Sequence, residues 1–289
     1  MSSALLALMA SLTYGVADFL GGLATRRASA LGVAAMSQAI GLAGLLLVLP
    51  MLPAASPTRA DLLWGASAGL AGGAGVTLFY AALAAGRMGM VAPVAAVCGL
   101  AVPVLVGLAL GERPHAVALA GVALTAVAVA LLGQTGAAEP GRRGGEGSER
   151  RALVLAISAG AVIGVFYSCL GQASPAAGVM PLVVGRATSV AGFLAGGTAA
   201  WLRRRRWTIL VPRPTIVLVG AAGLVDTIAN VCYLLAVTGG LLSVIAPLSS
   251  LYPASTVLLA RVVLNERLRP VHVAGLALAA AAILLMTAG

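Results

Sequence analysis

Apolar residues run along this chain in long stretches separated by short polar breaks. Ten stretches can be delimited, at about 4–24, 31–51, 62–85, 90–110, 115–134, 152–172, 179–202, 215–238, 242–263 and 270–288. Each approaches the ~20 apolar residues that a helix needs to cross a bilayer. The pattern predicts an all-α integral membrane protein with ten transmembrane helices. The longest break, Gln134 to Arg151, is Gly-rich and charged and divides the chain nearly in half. It sets the expected organisation: a first five-helix repeat over 1–138, a linker over 139–151 and a second repeat over 152–289.

The two halves repeat each other. Leu110-Gly111-Glu112-Arg113 with Ala120-Gly121 matches Leu264-Asn265-Glu266-Arg267 with Ala274-Gly275 at a constant offset of 154. The same offset places Val91-Ala92-Pro93 on Ile245-Ala246-Pro247 and Gly69 on Gly223. After small loop adjustments, Gly15-Val16 falls on Gly164-Val165 and Ala43-Gly44 on Ala191-Gly192. Five helices is an odd number, so the second copy enters the membrane in the opposite sense. Many secondary transporters build a central site from such an inverted repeat.

Composition agrees with burial in lipid. The chain has 289 residues, 61% hydrophobic and 9% charged, whereas a soluble domain carries about 25% charged residues. After ten crossings no length remains for a soluble catalytic domain. The formal charge is +10, and all 18 basic residues are arginine. Their placement in short loops argues for membrane orientation and against nucleic acid as a partner. Loops after odd-numbered stretches hold 14 arginines, those after even-numbered ones hold only Arg59 and Arg113, and Arg186 and Arg261 lie inside stretches. The positive-inside rule then puts the odd loops and the linker in the cytoplasm, with both termini outside. Cys98, Cys169 and Cys232 each lie in an apolar run and read as buried thiols. Met1-Ser2-Ser3 has no basic region and Asp18 interrupts the first run, so a cleaved signal peptide is not expected.

Two five-helix halves, each with a Pro-bearing fourth helix, a Gly/Asn-Glu-Arg turn and an Ala-Gly in the fifth helix, resemble the EamA-type transporters of the drug/metabolite transporter superfamily. The resemblance covers the chain except the linker. It implies a ten-helix carrier of small metabolites, often an exporter, in the plasma (inner) membrane, with no ATP, metal or other cofactor. It also implies a polar or basic residue in the second helix of each half, which Arg186 and its counterpart Gln38 supply. Ten-helix relatives often have cytoplasmic termini, opposite to the arginine pattern; the pattern belongs to this chain and decides the orientation.

Three charges stand inside apolar runs: Asp18, Arg186 and Asp226. A lone ion in hydrocarbon costs at least about 2.5 kcal/mol, so such groups face a cavity or each other. A structural ion pair between Arg186 and either aspartate is the plain reading, and a substrate or proton site is the functional one. Asp226, Asn230 and Tyr233 share one face of the eighth helix, as Ser11, Tyr14 and Asp18 share one face of the first. Thr77 with Tyr80 and Tyr167 with Ser168 are further polar candidates. Substrate contacts are therefore assigned to Tyr14, Gln38, Tyr80, Tyr167, Arg186, Asn230 and Tyr233, and proton coupling to Asp226 and Asp18. Asp226 and Asn230 have no counterparts in the first half, where Gly72 and Val76 stand.

Other features carry plainer readings. Gly69-xxx-Gly73, Gly160-xxx-Gly164 and Gly192-xxx-Gly196 read as packing faces. Pro93, Pro103, Pro247 and Pro253 free carbonyls in the fourth and ninth helices. Glu112 and Glu266 read as caps of the helices that follow them. His115 and His272 read as interfacial, and neither a zincin HExxH nor a Walker lysine exists in the chain. A secondary transporter moving a small polar or amphipathic metabolite by alternating access is the function expected. A non-transporting receptor or scaffold is the nearer alternative, and an intramembrane hydrolase the distant one.

Overall fold

The computed structural model describes residues 2–52, 54–86, 88–133, 146–202, 211–264 and 269–288. Arg87, Arg142, Arg143, Arg203 to Arg206, Glu266 and Arg267, with 139–145 of the expected linker, lie outside them. Eleven α-helices follow in order: α1 Ser3–Thr25, α2 Ala30–Val48, α3 Arg59–Ala85, α4 Met88–Ala109, α5 Ala116–Leu132, α6 Glu146–Leu170, α7 Met180–Leu202, α8 Arg213–Val237, α9 Leu242–Ser249, α10 Tyr252–Leu264 and α11 Pro270–Ala288. Among the described residues, nine stretches are long and apolar enough to cross a membrane, with α9 and α10 counted together, and the 17-residue α5 is a shorter apolar helix. Hydrocarbon offers the backbone no hydrogen bonds, so each run closes its own as helix. Starts are set by polar caps: Ser2 accepts from the Leu5 amide, Ser29 from the Gly32 amide, and Thr58 forms a capping box with Asp61.

Two boundaries differ from the sequence reading. α6 begins at Glu146, so residues 146–151 of the expected linker are helical. The Ser148 hydroxyl donates to the Ala85 carbonyl at 2.9 Å, and Ala152, Ala156 and Ala159 are fully buried, which ties this turn to the bundle. The ninth run is not one helix. It breaks at Ser250 and Leu251, because Pro253 has no amide to donate to the Ser249 carbonyl. Hydroxyls hold the broken segment against α1: Ser249 donates to the Ala7 carbonyl at 3.4 Å, Ser255 to Ser11 at 3.3 Å and Thr256 to Gly15 at 3.4 Å.

Packing follows the repeat. The most extensive contacts join α3 with α6 and α1 with α8, the same pair with the halves exchanged, and α5 packs against its own counterpart α11. Close approaches are duplicated too. A Cβ on Gly69 would lie 2.1 Å from the Gly185 carbonyl oxygen, and one on Gly223 would lie 2.5 Å from that of Ser37. The first joins α3 to α7 and the second joins α8 to α2, as an inverted repeat requires. Gly73 faces Ser189, and Gly160 and Gly164 face α4, as packing glycines should. Gly192 has nothing within 4 Å of a built Cβ, so the third motif is not a contact there.

Candidate functional site

One cavity lies among α1, α2, α3, α6, α7 and α8, with Tyr252 reaching it from the first turn of α10. Cavity and mouth together hold about 860 Å³ free of protein atoms. Tyr14, Asp18, Gln38, Tyr80, Tyr167, Arg186, Asp226 and Asn230 all line it. The helices can converge so closely because small residues face one another, with Gly65 on Pro181 and Gly69 on Gly185.

A continuous polar chain crosses this cavity. The Arg186 guanidinium donates through Nη1 to Gln38 Oε1 and pairs through Nη2 with Asp226 Oδ2. Asn230, one turn along α8, donates from Nδ2 to the same Asp226 Oδ2 at 3.0 Å and to the Asp226 carbonyl at 2.7 Å. Tyr14 closes the chain by donating its hydroxyl to Asn230 Oδ1 at 2.8 Å. The path therefore starts in the first half, passes through three second-half residues and returns to the first. Gln38 and Arg186 are equivalent positions of the two repeats, and they touch each other.

The two members of the ion pair are unequally sheltered: the Arg186 side chain is 7% exposed and that of Asp226 32%. The arginine is locked among helices while the carboxylate remains open to the cavity. A charge-assisted bond of this kind is stronger than one between neutral groups. Asp18 also faces the cavity but, among the described residues, makes neither a hydrogen bond nor an ion pair.

Aromatic rings form the remaining wall. Tyr167 meets the Tyr14 ring edge-on at 5.9 Å between centroids and the Tyr233 ring at 4.5 Å. Tyr233 does not line the cavity; it is fully buried behind Tyr167 and donates to the Tyr167 carbonyl at 3.2 Å. It shares the angular face of Asp226, but seven residues of helix carry it about 10 Å further along the axis. Thr77 and Ser168 satisfy their hydroxyls on carbonyls one turn back in their own helices, at 2.7 and 2.8 Å, and stay out of the cavity, as does Ser11.

Several positions differ from the sequence reading. Glu112 does not cap the helix that follows it. The α4 end closes with the Gly111 amide on the Leu108 carbonyl at 3.1 Å and the Glu112 amide on the Gly107 carbonyl at 3.0 Å, with Gly111 at φ 90°. This is a Schellman turn, which needs the left-handed residue that glycine supplies. It aims Glu112 at the other half, where Oε1 and Oε2 accept from the Leu242 and Ser243 amides, each at 2.8 Å. The N-cap of α9, Leu241, has no side-chain acceptor, and Glu112 fills that role. His272 is buried rather than interfacial, while His115 is exposed.

Sequence reasoning passed over Asp61, which is 2% exposed. Its carboxylate accepts from the Thr58 amide and hydroxyl at 2.8 and 2.7 Å, and from the Ser174 amide and hydroxyl at 2.7 and 3.1 Å. Thr58-x-x-Asp61 ahead of an apolar run is the capping-box signature that would have found it. Phe166, also in the cavity wall, shares no polar helical stripe, whereas Tyr252, likewise in the wall, has Ser255 and Thr256 on its face of α10, a stripe of the kind read on α1 and α8. All three cysteines are free thiols.

Comparison with known proteins places this architecture. The sequence model described as the EamA-like transporter family matches residues 1–134 and 150–288. No curated protein gives a match. Twenty-six chains of solved structures are similar. One of them, titled only as the crystal structure of a protein, has a TM-score of 0.74 at 17% identity over 99% of this chain and 96% of its own. At that identity the likeness is one of fold.

Proposed function

The chain belongs to the EamA-like transporter family, and from that premise we propose that it is a secondary carrier that exports a small polar or amphipathic metabolite by alternating access, coupled to protons. It works as a multi-pass protein of the plasma (inner) membrane. One observation carries the reading: the polar chain from Gln38 through Arg186, Asp226 and Asn230 to Tyr14 bridges both halves inside one cavity. A carrier must rearrange its halves around a fixed site, so the contacts that join them there are what substrate and proton have to alter.

Asp226 is the coupling carboxylate. A proton and Arg186 compete for it, and its exposure to the cavity leaves it open to that exchange. Ionised, it holds Arg186 and Asn230; protonated, it loses the charge-assisted bond and frees the guanidinium. The two protonation states thus link the halves differently, which is the condition for a proton gradient to bias a conformational equilibrium. The groups that surround Asp226 are Arg186 on α7, Asp18 and Tyr14 on α1, Gln38 on α2, Tyr80 on α3, Tyr167 on α6 and Asn230 on its own helix. Tyr14, Gln38, Tyr80, Tyr167, Arg186 and Asn230 contact the substrate, with Tyr233 supporting Tyr167 from behind.

Reconstitution tests the reading. Purified protein in liposomes, offered labelled small amines, amino acids and carboxylates under an imposed pH difference, should move at least one of them faster than empty liposomes. Binding without flux of any would identify a receptor. Orientation is checked with Ser148→Cys in intact cells: a membrane-impermeant maleimide should not reach it from outside, because the arginine pattern puts that turn in the cytoplasm.

A further inference from the structure

The cavity holds three formal charges, and they do not cancel. Asp18 and Asp226 are carboxylates and Arg186 is the one guanidinium among the lining residues. Arg186 is committed to Asp226 and Gln38. That leaves Asp18 as a carboxyl group at membrane depth with no hydrogen-bond or ion-pair partner among the described residues, where its ionised form is costly unless something positive joins it. Its surroundings are aromatic. Tyr80, Tyr167 and Tyr252 line the same cavity from α3, α6 and α10, and Tyr14 lies one turn before Asp18 on α1. Tyr80 can sit there because Gly21, three residues after Asp18, has no side chain; a Cβ at Gly21 would come within 2.3 Å of the Tyr80 hydroxyl.

We propose that Asp18 and the Tyr14, Tyr80, Tyr167 and Tyr252 rings form the binding site for an organic cation, an amine or quaternary ammonium on a small apolar body, and that this is the class of solute carried. The proposal rests on the carrier reading and gives it a substrate. A carboxylate opposes the charge directly, and the faces of aromatic rings attract a desolvated cation. The apolar body occupies the part of the wall made by Phe79 and Phe166. An anionic solute would have to displace Asp226 from Arg186 while facing an unpaired Asp18. The same bookkeeping of charge links solute to proton. With both aspartates ionised the lining carries one net negative charge, which one cation offsets. A proton on Asp226 brings the cavity to neutrality with Arg186 released, and the cation leaves. One positive charge enters for each one that departs.

The test uses three probes with the same aromatic body: benzyltrimethylammonium, benzyl alcohol and phenylacetate. Binding to the full-length protein in nanodiscs is measured by equilibrium dialysis. Wild type should bind the ammonium best and phenylacetate least. Asp18→Asn should weaken the ammonium by roughly tenfold to a hundredfold, as the loss of a sheltered charge–charge contact to a cation that has no N–H to donate, with benzyl alcohol unchanged. Asp18→Glu, which keeps the charge, should retain ammonium binding within a few-fold. Preference of wild type for phenylacetate would overturn the proposal, and so would equal ammonium affinity in wild type and Asp18→Asn. The wild-type ranking decides the matter even if Asp18→Asn does not fold. Liposome flux separates the two readings: movement of phenylacetate but not the ammonium defeats the cation site and leaves a carrier, whereas ammonium binding with no flux of any probe keeps the site and defeats the carrier.

Discussion

The two halves of this protein share a backbone plan and divide its chemistry. Their helices pack in exchanged pairs and their closest glycine approaches are duplicated. Yet the second half supplies the ion pair and Asn230, where the first has Gln38, Gly72 and Val76. The fourth and ninth runs diverge in the same way. α4 continues through Pro93 and Pro103, whereas the ninth run breaks before Pro253, at the position equivalent to Gly99. Small residues that set helix spacing are held in common, and the residues that meet in the cavity are free to differ. A symmetric scaffold thus surrounds an asymmetric site, in which the equivalent positions Arg186 and Gln38 serve as donor and acceptor to one another.

That contrast can be broken most severely at Arg186. Arg186→Ala strands Asp226 without its cation, and removing one partner of a sheltered ion pair costs about 3–5 kcal/mol. A large fall in the thermal unfolding midpoint in detergent, with loss of flux, is expected. A midpoint like that of wild type would mean that the pair is not a structural link between the halves.

The shared backbone is probed by matched alanines. Gly69→Ala and Gly223→Ala each force a methyl into a carbonyl of the other half and should destabilise by about 1–3 kcal/mol, by similar amounts. Gly192→Ala, with open space around it, should leave stability unchanged. Unequal costs for the first two would show that the halves do not bear packing load alike.

Smaller effects come from the polar bridges outside the ion pair. Glu112→Ala removes the acceptor for two amides of α9 and should cost about 1 kcal/mol. Gln38→Ala should cost a similar or smaller amount, since one hydrogen bond of Arg186 is lost while the salt bridge remains, about 0.5–1.5 kcal/mol. The comparison of Gln38→Ala with Arg186→Ala measures how unequally two equivalent positions contribute.

How much of this was legible follows from which forces act locally. Ten runs, the duplication and the expectation that Asp18, Arg186 and Asp226 face a cavity or each other could be read because apolar length and misplaced charge are properties of the sequence itself. The partner of Arg186 could be narrowed only to two aspartates, since the choice depends on how α7 meets α8 and α1. Tyr233 was placed on the right face of its helix but at the wrong depth for the cavity. Glu112 misled because helix capping is usually local, whereas the turn at Gly111 sends this carboxylate to α9. The break at Ser250 and Leu251 needed a proline whose cost is met by hydroxyl contacts to α1, and such contacts have no sequence signature.

The central claim is that Asp226 exchanges Arg186 for a proton as the halves rearrange. Asp226→Asn keeps the shape and the hydrogen-bonding reach of the side chain but cannot release or bind a proton. In liposomes with an imposed pH difference, wild type should accumulate the transported probe against its gradient, while the Asn variant should equilibrate or exchange it without accumulation. Accumulation by Asp226→Asn at the wild-type level under the same pH difference would contradict the claim.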